Sequence, residues 1–165
     1  MRLNHPFEPI ADSRSGVLIL GSFPSIKSFE NAFYYAHPRN QFWPIMEALF
    51  GERLPDRKSR RRFALRQGIA MWDVYASLIR AENNSSDANL TSLQPNDIAA
   101  FLAAHPSIRH VFCTGRKAFD GCRKHFPKLP VPCTMLPSTS PAYAAMPFDK
   151  KLEAYRQIKE VLDHV

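Results

Sequence analysis

Four short stretches of nearly unbroken apolar residues constrain this chain more than any other feature. They are Val17-Leu18-Ile19-Leu20, Ile69-Ala70-Met71-Trp72, Val111-Phe112-Cys113 and Cys133-Thr134-Met135-Leu136. A strand solvated on one face alternates apolar and polar residues, and none of these does so cleanly. Runs of this kind and length suit strands covered on both faces, as in a parallel sheet. Between them lie helical patterns. The spacing predicts helices over Phe42 to Phe50, Lys58 to Gln67, a segment capped by Asn96 and running through Leu102, and Arg116 to His125. A last helix is expected over Lys150 to His164, with Leu152, Tyr155, Ile158 and Val161 or Leu162 on one face.

Strands alternating with helices imply βαβ crossovers. The expected fold class is α/β: a three-layer α/β/α sandwich around a four-stranded, mostly parallel sheet. At 165 residues with 45% apolar and 22% charged composition, one domain spanning 1–165 is expected, with enough apolar surface to offset its ordering entropy. No apolar run approaches the roughly 20 residues a membrane helix needs. The stretch Met1 to Pro6 has no apolar signal core, so a cytoplasmic protein is expected. Three cysteines, Cys113, Cys122 and Cys133, form no CxxC, and the histidines form no HxxxH pair with a nearby carboxylate. That pattern predicts neither a disulfide framework nor a metal site, and no cofactor. Cys113, inside a predicted strand, reads as a buried structural thiol.

Ligands of such sheets sit beyond the carboxyl ends of the strands. That rule points to three polar, proline-bearing segments: Gly21 to Asn40, Asp73 to Asn89, and Pro137 to Pro147. The first begins Gly21-Ser22-Phe23-Pro24-Ser25 and ends Tyr34-Tyr35-Ala36-His37-Pro38-Arg39-Asn40-Gln41-Phe42-Trp43. Neither GxxxxGK[ST] nor GxGxxG occurs, which weakens a nucleotide-triphosphate or dinucleotide reading. GxSxG is absent, so a serine nucleophile has no support either. What remains is a tight glycine turn, aromatic rings able to stack on bases or fill a core, and the Asn40 carboxamide, a donor and acceptor in one group. The third segment, Pro137-Ser138-Thr139-Ser140-Pro141-Ala142, is stiff, narrow and hydroxyl-rich, a profile that fits a duplex groove or a plain strand-to-helix connection. The net charge of +7 favours a polyanionic partner. Its densest part, Arg57 to Arg62 with Arg66, reads either as phosphate contact or as a solvated face paired with Glu52 and Asp56.

GSFPS, YYAHPRNQFW and LPSTSPA, in that order and spacing, resemble the hypoxanthine-DNA glycosylase group of the uracil-DNA glycosylase superfamily. The chain is more distantly similar to the mismatch-specific uracil/thymine glycosylases. The resemblance implies the sandwich fold. It also implies base extrusion and hydrolysis of the N-glycosidic bond of a deaminated base, hypoxanthine first, then uracil or xanthine. The implied partner is double-stranded DNA, the expected state a monomer, and the expected reaction monofunctional, leaving an abasic site. Residue by residue, the resemblance makes Asn40 catalytic. It makes Gly21, Ser22, Phe23, Pro24, Tyr35 and His37 base-binding, Tyr35 by stacking and Ser22 and Phe23 through their backbones. Pro137, Ser138, Thr139, Ser140, Pro141 and Ala142 match the loop that contacts the lesion-bearing strand. The mismatch-specific relatives carry a catalytic Asn where this chain has Phe23. Ser25 stands where Gly is frequent, Tyr143 where Asn is frequent, and Asn84-Ser85-Ser86-Asp87 replaces a Gly-Ser-x-Asp stretch. Three alternatives stay open at this point: a mismatch-specific uracil/thymine glycosylase, a non-catalytic DNA-binding module, and a small-molecule hydrolase on the same frame.

Overall fold

The four apolar runs become the four strands of one parallel sheet. A computed structural model describes residues 2–5, 7–24, 28, 33–80, 90–143 and 145–163. In chain order the sheet strands are β2 (Val17–Gly21), β3 (Ile69–Asp73), β6 (His110–Thr114) and β7 (Cys133–Leu136). Their spatial order is β3-β2-β6-β7, with every neighbouring pair parallel. Strand β2 is central, pairing Val17 with Ile69 on one side and with His110 on the other.

The absence of alternation in the sequence has a direct cause. Val17 and Ile19 enter one apolar cluster, and Leu18 and Leu20 enter another on the opposite face. All four are 0% exposed. The first face is covered by α1 (Phe42–Phe50), α2 (Arg57–Gln67) and α5 (Phe148–Asp163), through Phe42, Phe63, Tyr155 and Ile158 among others. The second is covered by α3 (Ile98–Ala104) and α4 (Arg116–His125), through Ile98, Phe101, Ala118 and Cys122. Burial on both faces leaves no position for a polar residue within the central strand. The expected three-layer sandwich is therefore the observed one. No described helix is long and apolar enough to cross a membrane.

Two details depart from the sequence reading. The segment expected to be a loop after Asp73 forms β4 (Tyr75–Arg80), which pairs antiparallel with β1 (Arg2–Asn4) and β5 (Leu90–Pro95) in a separate three-stranded sheet. The N-cap of α3 is Asp97, whose side chain accepts from the Ala100 amide at 2.9 Å. Asn96 instead turns its amide to the Asp73 carbonyl at 2.9 Å, tying the start of α3 to the end of β3. Ser25 and the stretch Asn84 to Asp87 lie outside the described residues.

Helix α2 carries the basic run. Asp56 and Ser59 form a capping box at its start, each side chain bonded to the other's backbone amide. Arg66 pairs with Glu52, and Arg60 donates to the Leu54 carbonyl while its guanidinium lies 5.5 Å from the Trp43 ring. The expected pairing with Glu52 thus holds for Arg66, and Asp56 is spent on the helix cap. Lys58, Arg61 and Arg62 are exposed.

Candidate active site

The chain runs from β2 outward to β3, then returns past β2 to form β6 on its other side. The crevice between the carboxyl ends of β2 and β6 is the point where the winding reverses, the default ligand position in an open α/β sheet. Gly21 ends β2 and Thr114 ends β6. Tyr35 joins them. Its hydroxyl lies 2.9 Å from Thr114 Oγ1, and a Cβ placed on Gly21 would meet that hydroxyl at 3.2 Å and overlap Asp73 Oδ1. Only a glycine admits both groups so close to the turn.

Tyr35 itself is held at φ +54°, a left-handed backbone that costs an ordinary residue about 1–2 kcal/mol. Such a conformation survives only where its surroundings over-determine it. Here the ring stacks on Phe42, with centroids 4.3 Å apart and planes at 15°. Among the described residues no second ring packs on the opposite face. Burial pushes the Tyr35 hydroxyl well above the usual phenol range, so it stays a neutral hydrogen-bonding group. Its neighbours divide differently. Tyr34, Phe42 and Trp43 are core residues, with the Trp43 indole donating to the Tyr34 carbonyl at 2.9 Å.

Asn40 sits just before α1 and is half-buried. Its side chain accepts a hydrogen bond from the Phe42 amide at 2.9 Å. A backbone N–H can only donate, so the accepting atom is Oδ1, and the Nδ2 amino group is the free end of the carboxamide. Nδ2 has no partner among the described residues. His37 sets up the turn before it: its carbonyl accepts from the Asn40 amide at 2.9 Å and its Nδ1 from the Arg39 amide at 3.0 Å.

The loop after β7 is bound to this stretch. The Gln41 amide donates to the Thr139 carbonyl at 3.0 Å. Lys151 of α5, 1% exposed, donates from Nζ to Gln41 Oε1 and to the Tyr143 carbonyl, both at 2.8 Å. Tyr155 donates its hydroxyl to the Pro137 carbonyl. Thr139 is the buried root of the loop. Pro141, Ala142 and Tyr143 form its exposed 3₁₀ tip, and Pro137, Ser138 and Ser140 are half-buried between them. In the first turn, Ser22 accepts from the Tyr75 amide at 3.1 Å. The Phe23 ring is buried in the cluster under α3 and α4, and Pro24 is buried beside it. Phe23 therefore places hydrocarbon, not a side-chain amide, in the first turn.

Two residues at this end of the sheet were not singled out from sequence. Asp73 ends β3, paired with Gly21 across the ladder. His5, just after β1, reaches it with Nε2 at 2.7 Å from Asp73 Oδ2, and both side chains are buried. The other ring nitrogen, Nδ1, lies 2.8 Å from the Phe7 carbonyl. A carboxylate at the carboxyl end of a predicted strand is a readable signal for Asp73. Nothing in sequence spacing links it to His5 or links Lys151 to Gln41.

The strands and the loops at their carboxyl ends define an α/β protein whose candidate site combines the Tyr35 ring, the Gly21 turn and the Asn40 carboxamide. Residues 8–163 match the family described as the Uracil DNA glycosylase superfamily. The chain belongs to that superfamily, and its enzyme class is that of a DNA glycosylase. Proteins named "Hypoxanthine DNA glycosylase" from Methanosarcina acetivorans and Methanosarcina barkeri are 31% and 30% identical to it over 114 residues, covering 68% of this chain and 71% of theirs. A solution NMR structure of a Methanosarcina acetivorans protein, given a provisional uracil DNA glycosylase description, superposes with a TM-score of 0.80. It is 26% identical and covers 99% of this chain and 100% of that one.

Proposed function

We propose that this protein excises deaminated bases, hypoxanthine first, from double-stranded DNA. It hydrolyses the N-glycosidic bond with Asn40 as the catalytic amide. The observation that carries the reading is the anchored Asn40 carboxamide: Oδ1 is fixed by the Phe42 amide, and Nδ2 has no partner among the described residues. The two relatives named hypoxanthine DNA glycosylase support hypoxanthine as the base.

A paired base is out of reach, so the nucleotide is extruded at a cost of a few kcal/mol, least for a weak or mismatched pair. Stacking of the extruded base on the Tyr35 ring offsets about 1–3 kcal/mol of that cost. The C1′–N bond then breaks through an oxocarbenium-like sugar, with water adding at C1′ and the base leaving with the bonding electrons and taking up a proton. The Asn40 amino group donates to the departing base, and the second lone pair of Oδ1 orients the water. An amide is a weak base, so the rate rests on positioning and electrostatics. The neutral Tyr35 hydroxyl, beside Gly21 and Thr114, lines the floor that receives the base. The loop tip at Pro141, Ala142 and Tyr143 approaches the lesion-bearing strand, and the Lys151 bridge holds that tip in register with Asn40.

The reaction is monofunctional in this reading. Lys151 lies beside the loop, but its Nζ is committed as a donor to two carbonyl oxygens and is not presented to C1′. The protein acts as a cytoplasmic monomer. The test uses labelled duplexes carrying inosine, uracil or xanthine, treated with the protein and then with alkali. Wild-type protein produces strand breaks at inosine, gives no borohydride-trapped adduct, and loses activity on Asn40→Ala substitution with its circular dichroism unchanged. An Asn40→Ala variant that still releases hypoxanthine at the wild-type rate rules out the role of Asn40. A wild-type protein that binds these duplexes without breaks reassigns it as a binding module.

A further inference from the structure

The three cysteines, which sequence spacing left unconnected, converge in the fold. Cys113 is on β6, Cys133 on β7 and Cys122 on α4. The parallel register pairs Cys113 with Met135 and Val111 with Cys133, so Cys113 and Cys133 project from the same face of adjacent strands, toward α4. Their sulfurs are 3.6 Å apart, and all three Sγ atoms lie within 4.8 Å of one another. Cys113 and Cys122 are fully buried and Cys133 is half-exposed. A cavity of about 200 Å³ opens over the group, lined by Cys122, Cys133, Arg123, Phe126 and Val131 among others.

We propose that Cys113, Cys122 and Cys133 form a binding site for a single thiophilic d¹⁰ metal ion of the zinc/copper(I) class. Metal–sulfur bonds of about 2.3 Å place the ligands of a tetrahedral or trigonal centre roughly 3.8–4.0 Å apart. With one pair at 3.6 Å and none beyond 4.8 Å, closing the sulfurs on an ion needs only small side-chain shifts. The donor set selects the ion. Three sulfurs without a carboxylate exclude calcium and magnesium, which take oxygen. A cubane iron–sulfur cluster takes four thiolates, and the chain holds three cysteines. Cys133 is the natural entry ligand. It is the one thiol of the three that is not fully buried, and it lines the cavity. Each thiol that ligates releases its proton to solvent. The fourth position faces the cavity. Zinc fills it with an exogenous ligand, whereas copper(I) is satisfied by three thiolates. The site lies at the β6–β7–α4 junction, outside the Asn40 and Tyr35 cluster, and pins the strand that leads into the Pro137 loop.

The experiment titrates the full-length, reduced, metal-free protein anaerobically with cadmium(II) as the spectroscopic probe. The expected result is a thiolate-to-cadmium charge-transfer band that saturates at one ion per chain. Loss of thiol reactivity toward a disulfide reagent, read chiefly at the half-exposed Cys133, should accompany it. Parallel arms with zinc(II) and copper(I) against competing chelators tell the two physiological ions apart. Disturbing only the outer partners of a metal site costs about 10–100-fold in affinity, so Cys133→Ser, at the half-exposed position, should weaken cadmium binding at least that much. Its base release from inosine duplexes should be unchanged. Absence of the band overturns the proposal, as does wild-type cadmium affinity in Cys133→Ser, or thiols that stay reactive at saturating cadmium. Should Cys133→Ser fail to fold, wild-type stoichiometry and thiol protection decide the question alone.

Discussion

His5 Nε2 lies 2.7 Å from Asp73 Oδ2, and its other nitrogen faces the Phe7 carbonyl at 2.8 Å. A carbonyl only accepts, so Nδ1 carries a proton, and one further proton must lie between Nε2 and the carboxylate. The pair is therefore an imidazolium–carboxylate contact or its neutral tautomer, buried at the end of β3 beside the Gly21 turn. Removing one partner strands the other. His5→Ala leaves a buried carboxylate without its donor, at an expected cost of about 3–5 kcal/mol. Asp73→Asn can still donate from its amide to a neutral Nε2 and is expected to cost about 1 kcal/mol, the scale of one net hydrogen bond. Urea denaturation of both variants checks the order. Equal losses would mean the pair contributes packing alone.

Gly21→Ala is a sharper probe of the site than its size suggests. The added methyl overlaps Asp73 Oδ1 and presses on the Tyr35 hydroxyl. Relieving it moves the carboxylate, the tyrosine or the strand end, at about 1–3 kcal/mol for overpacking. Because Tyr35 stacks on Phe42 and Asn40 caps the Phe42 amide, the displacement is transmitted to the carboxamide. Inosine excision should fall further than stability does, measured by single-turnover cleavage beside thermal denaturation.

The parallel sheet was legible because Val17 to Leu20 and Val111 to Cys113 are apolar at every position, and only a doubly covered strand requires that. The second sheet was not. In β4 the pairing shifts register between Tyr75 and Ser77 and again between Ser77 and Ile79, and such irregularities erase the two-residue period that marks an antiparallel strand. Asn40 and Tyr35 enter the candidate site through a motif resemblance and Gly21 through its place at a strand end, whereas Asp73, at the end of β3, was not singled out. The Cys113, Cys122 and Cys133 convergence was not legible, because a helix and two strands bring together residues that no short spacing relates. Lys151 read as one polar position among several on α5, and only the fold turns it inward.

Lys151→Met tests whether the loop after β7 must be tied to the Asn40 stretch. Methionine keeps the stem's volume and removes the donor shared by Gln41 and Tyr143. Burial already lowers the lysine's proton affinity, so removing the charge recovers desolvation free energy. The two freed acceptors sit at the half-exposed Gln41 and the exposed Tyr143, where water can replace the ammonium, so the net stability change is expected to be about 1 kcal/mol or less. The loop root keeps its bonds from the Gln41 amide and the Tyr155 hydroxyl, but the tip at Tyr143 loses its tie to the Asn40 stretch, and a shift near 1 Å costs up to about 100-fold in rate. Excision should therefore drop at least about tenfold, with duplex affinity changed less.

His110 supplies a pH dependence of known sign. Burial lowers its pKa below the ordinary value of 6.5, while Nε2 bonds Thr134 Oγ1 at 2.8 Å and the ring stacks on Phe112. Below pH 6.5 the unfolded chain takes up a proton more readily than the folded one. Stability contributed by this residue is thus complete above 6.5 and is lost as pH falls through the window just below it. Chemical denaturation from pH 7.5 to 5 should show stability rising with pH across that window. His110→Gln should flatten the slope there. An unchanged slope in the variant assigns the dependence to another group.

Asn40→Asp separates the two halves of the proposed catalytic amide. The carboxylate still accepts from the Phe42 amide, and that bond should shorten and strengthen with the charge, so the turn into α1 and the stability of the fold are preserved. What changes is the free end, where an amino donor becomes a second acceptor. A donor to the departing base is then lost and a negative charge faces a leaving group that is itself gathering electrons, so base release should slow by 10²-fold or more, the scale of one lost transition-state donor (~10²–10³). If the opposite held and the residue acted only by orienting water through its oxygen, the carboxylate would be the better base and the rate would rise. Single-turnover excision of hypoxanthine by Asn40→Asp and Asn40→Ala, compared at one pH, distinguishes the two. Loss in both assigns the amino group, and a gain in Asn40→Asp alone assigns the oxygen.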